Sequence, residues 1–185
     1  CEPILQQLDK LLRLSRNALR YQSNCITKCF NATIPHTLQM QTIELLAPAK
    51  NLASGIAAIK HGADAVYIGA SHHGARAAAG NSLTDIEQLC AYAHSFRARV
   101  YVTLNTIIYD DELEEVKLLM RKLAQIKIDA ILVQDMALVE IVMHCEDNDP
   151  LAYFRSRLHA STQTDNRSAE KVAWLNNIGF SRVVL

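Results

Sequence analysis

The feature that most constrains the fold is an alternation of short apolar runs with helical patterns, which begins at Ile43 and continues to the last residue. Each run except the last is followed by apolar residues at three-and-four spacing, which is typical of amphipathic helices. Short, nearly continuous apolar runs are typical of parallel strands that are buried on both faces. The six runs begin at Ile43, Ala65, Val100, Ala130, Arg157 and Arg182.

This alternation predicts an α/β protein built from parallel (β/α) repeats. Two architectures fit, a TIM-barrel-like fold truncated after about strand six and an open doubly wound sheet. No G-x-G-x-x-G motif follows the first run, and Gly69, Gly74 and Gly80 are too widely spaced to form one. We therefore favour the barrel.

Two local signals predict where elements begin and end. Pro48 is expected to end the first strand. Thr84 and Glu87 have the spacing of a capping box, so we expect the second helix to begin there.

Residues 1–42 differ from the remainder. Apolar residues between Ile4 and Leu19 repeat at helical spacing beside four basic residues, and a polar stretch follows to Thr42. We predict an N-terminal amphipathic helix and an irregular linker outside a (β/α) domain of residues 43–185. The chain begins with Cys1 and ends within a strand-like run, so we expect a fragment that is inactive alone. A truncated binding module, whose basic helix contacts RNA or membrane, is one alternative.

Composition excludes several classes of protein. Lys plus Arg equals Asp plus Glu, at 19 each among 185 residues, so no overall field favours nucleic acid or an acidic membrane. No apolar run is long enough to span a membrane. The five cysteines are scattered and odd in number, which favours reduced thiols in a cytoplasmic protein. Cys25 and Cys29 lack a second pair at zinc spacing, so we predict no metal site.

Polar residues follow the predicted strands at the ends where parallel barrels place their active sites. His159 and Asp135 are the candidate catalytic residues, because either could act as a base. The candidate substrate-binding residues are Arg76, Asn105, Gln134, Ser161, Thr162 and Gln163.

Most of these residues also have a purely structural interpretation, and Arg76 could form a surface ion pair of little energetic value. Asp135 suits the N-cap of the helix that follows it, and Asn105 suits a turn. Ser161 and Thr162 could cap the last helix, and His159 could be a satisfied core imidazole. No G-x-S-x-G or H-E-x-x-H motif is present, and an arginine with several amides suits a carboxylate or phosphate substrate.

Seven ordered blocks carry a family resemblance over residues 43–185. They begin with ELLAPA at Glu44, GADAVYIG at Gly62 and GARA at Gly74. They continue with LNT at Leu104, DAILVQD at Asp129, HASTQ at His159 and GFSRVVL at Gly179. In these blocks the chain resembles the U32 peptidases, also called collagenase-like peptidases.

The resemblance implies a TIM-barrel-like domain. It also implies two activities, hydroxylation of a tRNA or rRNA nucleobase with a prephenate-type carboxylate co-substrate, and hydrolysis of collagen- or gelatin-like peptides. We favour the first, because the residues contain an anion-binding set and no protease nucleophile. RNA and a small carboxylate are the expected partners. No cofactor is expected within this chain, while relatives imply an iron–sulfur cluster in the full-length protein through cysteines beyond residue 185.

Overall fold

A computed structural model of the chain describes residues 43–70 and 80–185, and it confirms the predicted architecture. Six parallel strands pair in sequence order, and the sheet curls so far that Glu44, beside the first strand, contacts Arg182 in the sixth. Helices alternate with the strands, as in part of a (β/α) barrel. The predicted N-terminal helix and Arg76 lie outside the described residues.

The elements follow one another with short connections. The strands are β1 (Leu46–Ala49), β2 (Ala65–Gly69), β3 (Arg99–Leu104), β4 (Ala130–Val133), β5 (Leu158–Ala160) and β6 (Arg182–Val183). The helices are α1 (Leu52–Lys60), α2 (Leu83–Ser95), α3 (Leu113–Ile126), α4 (Met136–His144) and α5 (Ala169–Asn177). In the described part of the chain, short 3-10 turns span Asp110–Glu112, Pro150–Phe154 and Thr162–Thr164. Within the described ranges, no helix has the length and apolar character needed to cross a membrane.

The two faces of the sheet have different surroundings. Side chains such as Val100 and Val102 point outward and form the main core with the helices. The inward face carries Tyr101 with small or medium apolar residues, including Ala65 and Ala130. Because successive side chains of a strand alternate between faces, every second residue of each strand lines the concave interior, which we call the lumen.

Both predicted boundaries were wrong. Pro48 lies within β1, which pairs only with β2 among the described strands, and an edge strand tolerates a missing N–H. Helix α2 begins earlier than predicted, with Ser82 and Asp85 as its capping box. The Ser82 hydroxyl accepts from the Asp85 amide at 3.1 Å and the Asp85 carboxylate accepts from the Ser82 amide at 3.0 Å.

Candidate active site at the carboxyl ends of the strands

The segment after β5 is held by a compact set of hydrogen bonds. Asn166 donates from its side-chain nitrogen to the Ser161 carbonyl at 2.8 Å and to the Val184 carbonyl at 2.7 Å. The Thr164 hydroxyl lies 2.8 Å from the same Ser161 carbonyl and 2.6 Å from the Asn166 side-chain oxygen. Asn166 thereby ties the end of β5 to the end of β6.

This arrangement exposes two of the predicted substrate-binding residues. Thr162 and Gln163 lie on the exposed side of the 3-10 turn, while Ser161, Thr164 and Asn166 are buried beneath it. Thr164 and Asn166 are not among the predicted site residues, although Asn and Thr beside a strand end are common turn formers. Thr162 and Gln163 are therefore exposed on a turn that is held in place by the hydrogen bonds of the buried residues beneath it.

Ser161 also connects two strand ends. The Ser161 backbone amide donates to the Val133 carbonyl of β4 at 2.9 Å. The side-chain nitrogen of Asn105, just after β3, lies 3.5 Å from the Ser161 hydroxyl oxygen. The Ser161 hydroxyl also accepts from the Gln163 amide, so it caps the 3-10 turn, and the last helix is capped by Ser168 instead. Asn105 and Ser161 thus meet at one edge, while Gln134 lies partly buried at the end of β4.

Asp135 has two backbone partners. One carboxylate oxygen accepts from the Ala137 amide at 2.9 Å, which makes Asp135 the N-cap of α4. The other accepts from the Ile108 amide at 3.0 Å, in the loop after β3. Asp135 therefore positions the β3–α3 loop relative to α4.

Replacing Asp135 with alanine is expected to lower the free energy of unfolding by about 1–2 kcal/mol, because a helix cap is lost and a loop amide loses its acceptor. Urea unfolding followed by circular dichroism measures the change. The control Asp110→Ala removes an exposed carboxylate from the neighbouring 3-10 turn and should leave the midpoint nearly unchanged. Equal stability of Asp135→Ala and the unaltered chain would contradict this role.

His159 points into the lumen. Its imidazole meets the Tyr101 ring edge-on, with ring centroids 4.9 Å apart, and the residue is only 7% exposed. Burial, and the nearby Arg182 guanidinium, lower the pKa of His159 from 6.5 to about 4. The imidazole is therefore neutral at pH 7, and it makes no hydrogen bond among the described residues.

A charged cluster fills the amino-terminal end of the lumen. The Glu44 carboxylate accepts from the Tyr101 hydroxyl at 2.7 Å, from Arg99 at 2.9 Å and from Arg182 at 2.7 and 3.1 Å. Hydrogen bonds from Arg182 and Tyr101, with the charges of both arginines, lower the Glu44 pKa to about 2 against its burial. We call Glu44, Arg99, Tyr101 and Arg182 the lumenal clasp.

Sequence reasoning missed the lumenal clasp, although one signal was present. Arg99 and Tyr101 are polar residues two apart in a largely apolar strand, and this spacing places them on the same face. In a barrel, the amino-terminal end of the strands serves stability and the carboxyl end serves catalysis. The clasp therefore lies below the candidate site rather than within it.

Residues 43–70 and 80–185 contain no group of three or more His, Cys, Asp or Glu side chains that could hold a metal ion. Burial, with the nearby Asp129 and Glu87 carboxylates, raises the Cys90 pKa to about 12, and the Cys145 thiol donates to the Val142 carbonyl. The Cys90 thiol therefore lacks the thiolate character of a cluster ligand.

A parallel (β/α) half-barrel with polar residues gathered at its carboxyl edge defines a domain of the (β/α)-barrel class. The chain belongs to Peptidase family U32, whose model matches residues 50–185. It is 46% identical over 149 residues to the 23S rRNA 5-hydroxycytidine C2501 synthase of Escherichia coli strain K12, covering 80% of this chain and 21% of that protein.

Two further comparisons agree with the family. The chain is 30% identical over 143 residues to tRNA hydroxylation protein P1 of Bacillus subtilis strain 168, covering 77% of this chain and 32% of that protein. A U32 peptidase of known structure superposes with a TM-score of 0.59 at 14% identity, covering 77% of this chain and 57% of the other. The chain thus spans about a fifth to a third of the length of these curated relatives.

Proposed function

We propose that the full-length protein is an enzyme that acts in the hydroxylation of an RNA nucleobase, with a cytidine of ribosomal RNA as the first candidate. The observation that carries the proposal is the 46% identity to a 5-hydroxycytidine synthase. The geometry supports it, because amide, hydroxyl and imidazole groups gather at the strand ends. Among the described residues no imidazole is bonded to a hydroxyl or thiol, the pairing that a serine or cysteine peptidase requires. With such a substrate, the cytoplasm is the proposed location of the protein.

The residues take different roles in this proposal. His159, neutral and with no hydrogen-bonding partner among the described residues, is the candidate base or hydrogen-bonding group. Asn105 and Ser161 form the polar edge, and Thr162 and Gln163 contact the substrate from the exposed turn. Asp135 acts by holding the loop that carries Ile108.

A small carboxylate of the prephenate type is the proposed co-substrate, and it requires a cation near the site. Lys50 directly follows β1 and has no carboxylate partner among the described residues. Arg167, in the segment after β5, is already paired with Asp165. Among the described residues, Lys50 is therefore the candidate cation for binding the co-substrate carboxylate. Arg76 remains the second candidate, from the sequence analysis.

Mass spectrometry of ribosomal and transfer RNA from a deletion strain tests the function. We expect one pyrimidine to lose the mass of a single oxygen atom, and the full-length protein to restore it. Ser161→Ala, which removes the hydroxyl linking the ends of β3 and β5, should restore roughly a tenth or less, on the usual scale for a displaced site group. The matched control Ser95→Ala, on the outer helix α2, should restore modification fully. Unchanged modification in the deletion strain would overturn the proposal.

A further inference from the structure

The inward-facing polar residues fall into two groups that differ in how they are paired. The first is the lumenal clasp, in which one carboxylate accepts from two guanidinium groups and a phenol. The second consists of Tyr67 of β2, Thr103 of β3 and His159 of β5, which we call the lumenal polar set. Tyr67 pairs with Tyr101 in the strand register and packs against the lumenal apolar cluster. Thr103 and His159 each pair with Leu132, which belongs to the same cluster.

The polar groups of the lumenal polar set have no hydrogen-bonding partners among the described residues. This holds for the Tyr67 hydroxyl, the Thr103 hydroxyl and both ring nitrogens of His159. His159 is more than nine-tenths buried, so water has little access to it. Buried polar groups are nearly always paired, and an unpaired one is costly. A ligand that enters the lumen would supply the missing partners.

The chemistry of the lumenal polar set selects the ligand. All three of its unpaired side chains are neutral, while the clasp, with two guanidinium groups on one carboxylate, keeps one net positive charge. The rings of Tyr67, Tyr101 and His159 contribute aromatic surface. A flat ring with donors and acceptors along its edge fits these neutral groups and aromatic faces. A nucleobase has these properties, and enzymes that modify bases draw them out of the stack into such pockets.

We propose that the lumen is the pocket for an extruded pyrimidine base, with Tyr67, Thr103 and His159 bonding to its edge. This inference rests on the proposed function and adds the pose of the base and the residues that recognise it. Among the described residues, the one atom within 4 Å of a Cβ built at Gly69 is the Thr103 hydroxyl oxygen, at 3.5 Å. Gly69 pairs with Thr103 and has no side chain to cover it.

The test uses the full-length protein and an RNA hairpin with the fluorescent cytidine analogue pyrrolocytidine in its loop. Analogue emission reports on the base, and the anisotropy of a dye at the RNA end reports on binding of the whole RNA. We expect binding of the unaltered protein to change the emission. Tyr67→Phe and His159→Phe each remove hydrogen-bonding groups and keep the ring. Each should weaken the emission-detected affinity by roughly three- to tenfold.

Tyr92→Phe provides the matched control, since it deletes the same hydroxyl from a tyrosine on the outer helix α2, beside Phe96. It should leave both signals unchanged, and circular dichroism verifies that every variant is folded. If the protein binds RNA but Tyr67→Phe and His159→Phe leave the emission response intact, the lumenal pocket is wrong and the proposed function survives. If the unaltered protein does not bind RNA, the proposed function fails, and this inference fails with it.

Discussion

Replacing Glu44 with glutamine is expected to lower the free energy of unfolding at pH 7 by about 2–4 kcal/mol, because breaking a largely buried ion pair leaves charge uncompensated. The Glu44 side chain is only 18% exposed and accepts from both Arg99 and Arg182. The variant keeps the shape and an acceptor oxygen but removes the charge. Since Arg182 lies at the far edge of the sheet, the loss should also loosen the curl between β1 and β6.

The contribution of Glu44 to the free energy of unfolding is expected to decrease as the pH falls. The folded-state pKa of Glu44 is about 2, below its ordinary value of 4.5, so the unfolded chain takes up the proton first as the pH falls. The stabilisation is complete above pH 4.5 and is lost between there and about pH 2, by about 3 kcal/mol at most. Urea unfolding across this range measures the loss, and Glu44→Gln should lack it.

Glu114→Gln is the matched control. Glu114 pairs with Lys117 at 2.7 Å on the surface of α3, and its side chain is 82% exposed. Exposed pairs contribute little, so the midpoint should hardly move. A loss of stability as large as that of Glu44→Gln would show that burial of the clasp is not what makes Glu44 important.

Replacing His159 with phenylalanine is expected to remove a separate loss of stability between pH 6.5 and pH 4. The folded-state pKa of His159 is about 4, below the ordinary 6.5, so protonation favours the unfolded chain throughout this range. The stabilising contribution is complete above pH 6.5 and decreases as the pH falls, by about 2 kcal/mol at pH 5. Phenylalanine does not titrate and retains a ring against Tyr101.

The measurement is the slope of unfolding free energy against pH, because a packing change from the larger ring would shift all values equally. His144→Phe, at the exposed end of α4, should keep the slope of the unaltered chain. The His159 effect falls above pH 4 and that of Glu44 below pH 4.5, so the two variants should each remove a different part of the curve. If His159→Phe leaves the slope unchanged, the His159 imidazole is solvated and burial does not lower its pKa.

The positions of the strand-end residues could be predicted because they depend on local patterns. The apolar runs place Asn105, Gln134 and Ser161 at strand ends, and parallel pairing brings those ends to one edge. The N-cap role of Asp135, weighed from the sequence, is confirmed by its bond to the Ala137 amide. Its second bond, to Ile108, depends on where the preceding loop returns, and no local pattern encodes that.

By itself, the sequence determined the (β/α) repeat, the family and the edge at which the polar residues gather, because these follow from periodicity and short motifs. Only the tertiary structure decided which side chains meet across the lumen. Glu44 and Arg182 are 138 residues apart, and the curl of the whole sheet sets their contact. The same curl buries His159 against Tyr101 and depresses its pKa. Protonation depends on local solvation and charge, which exist only once distant strands have closed around the residue.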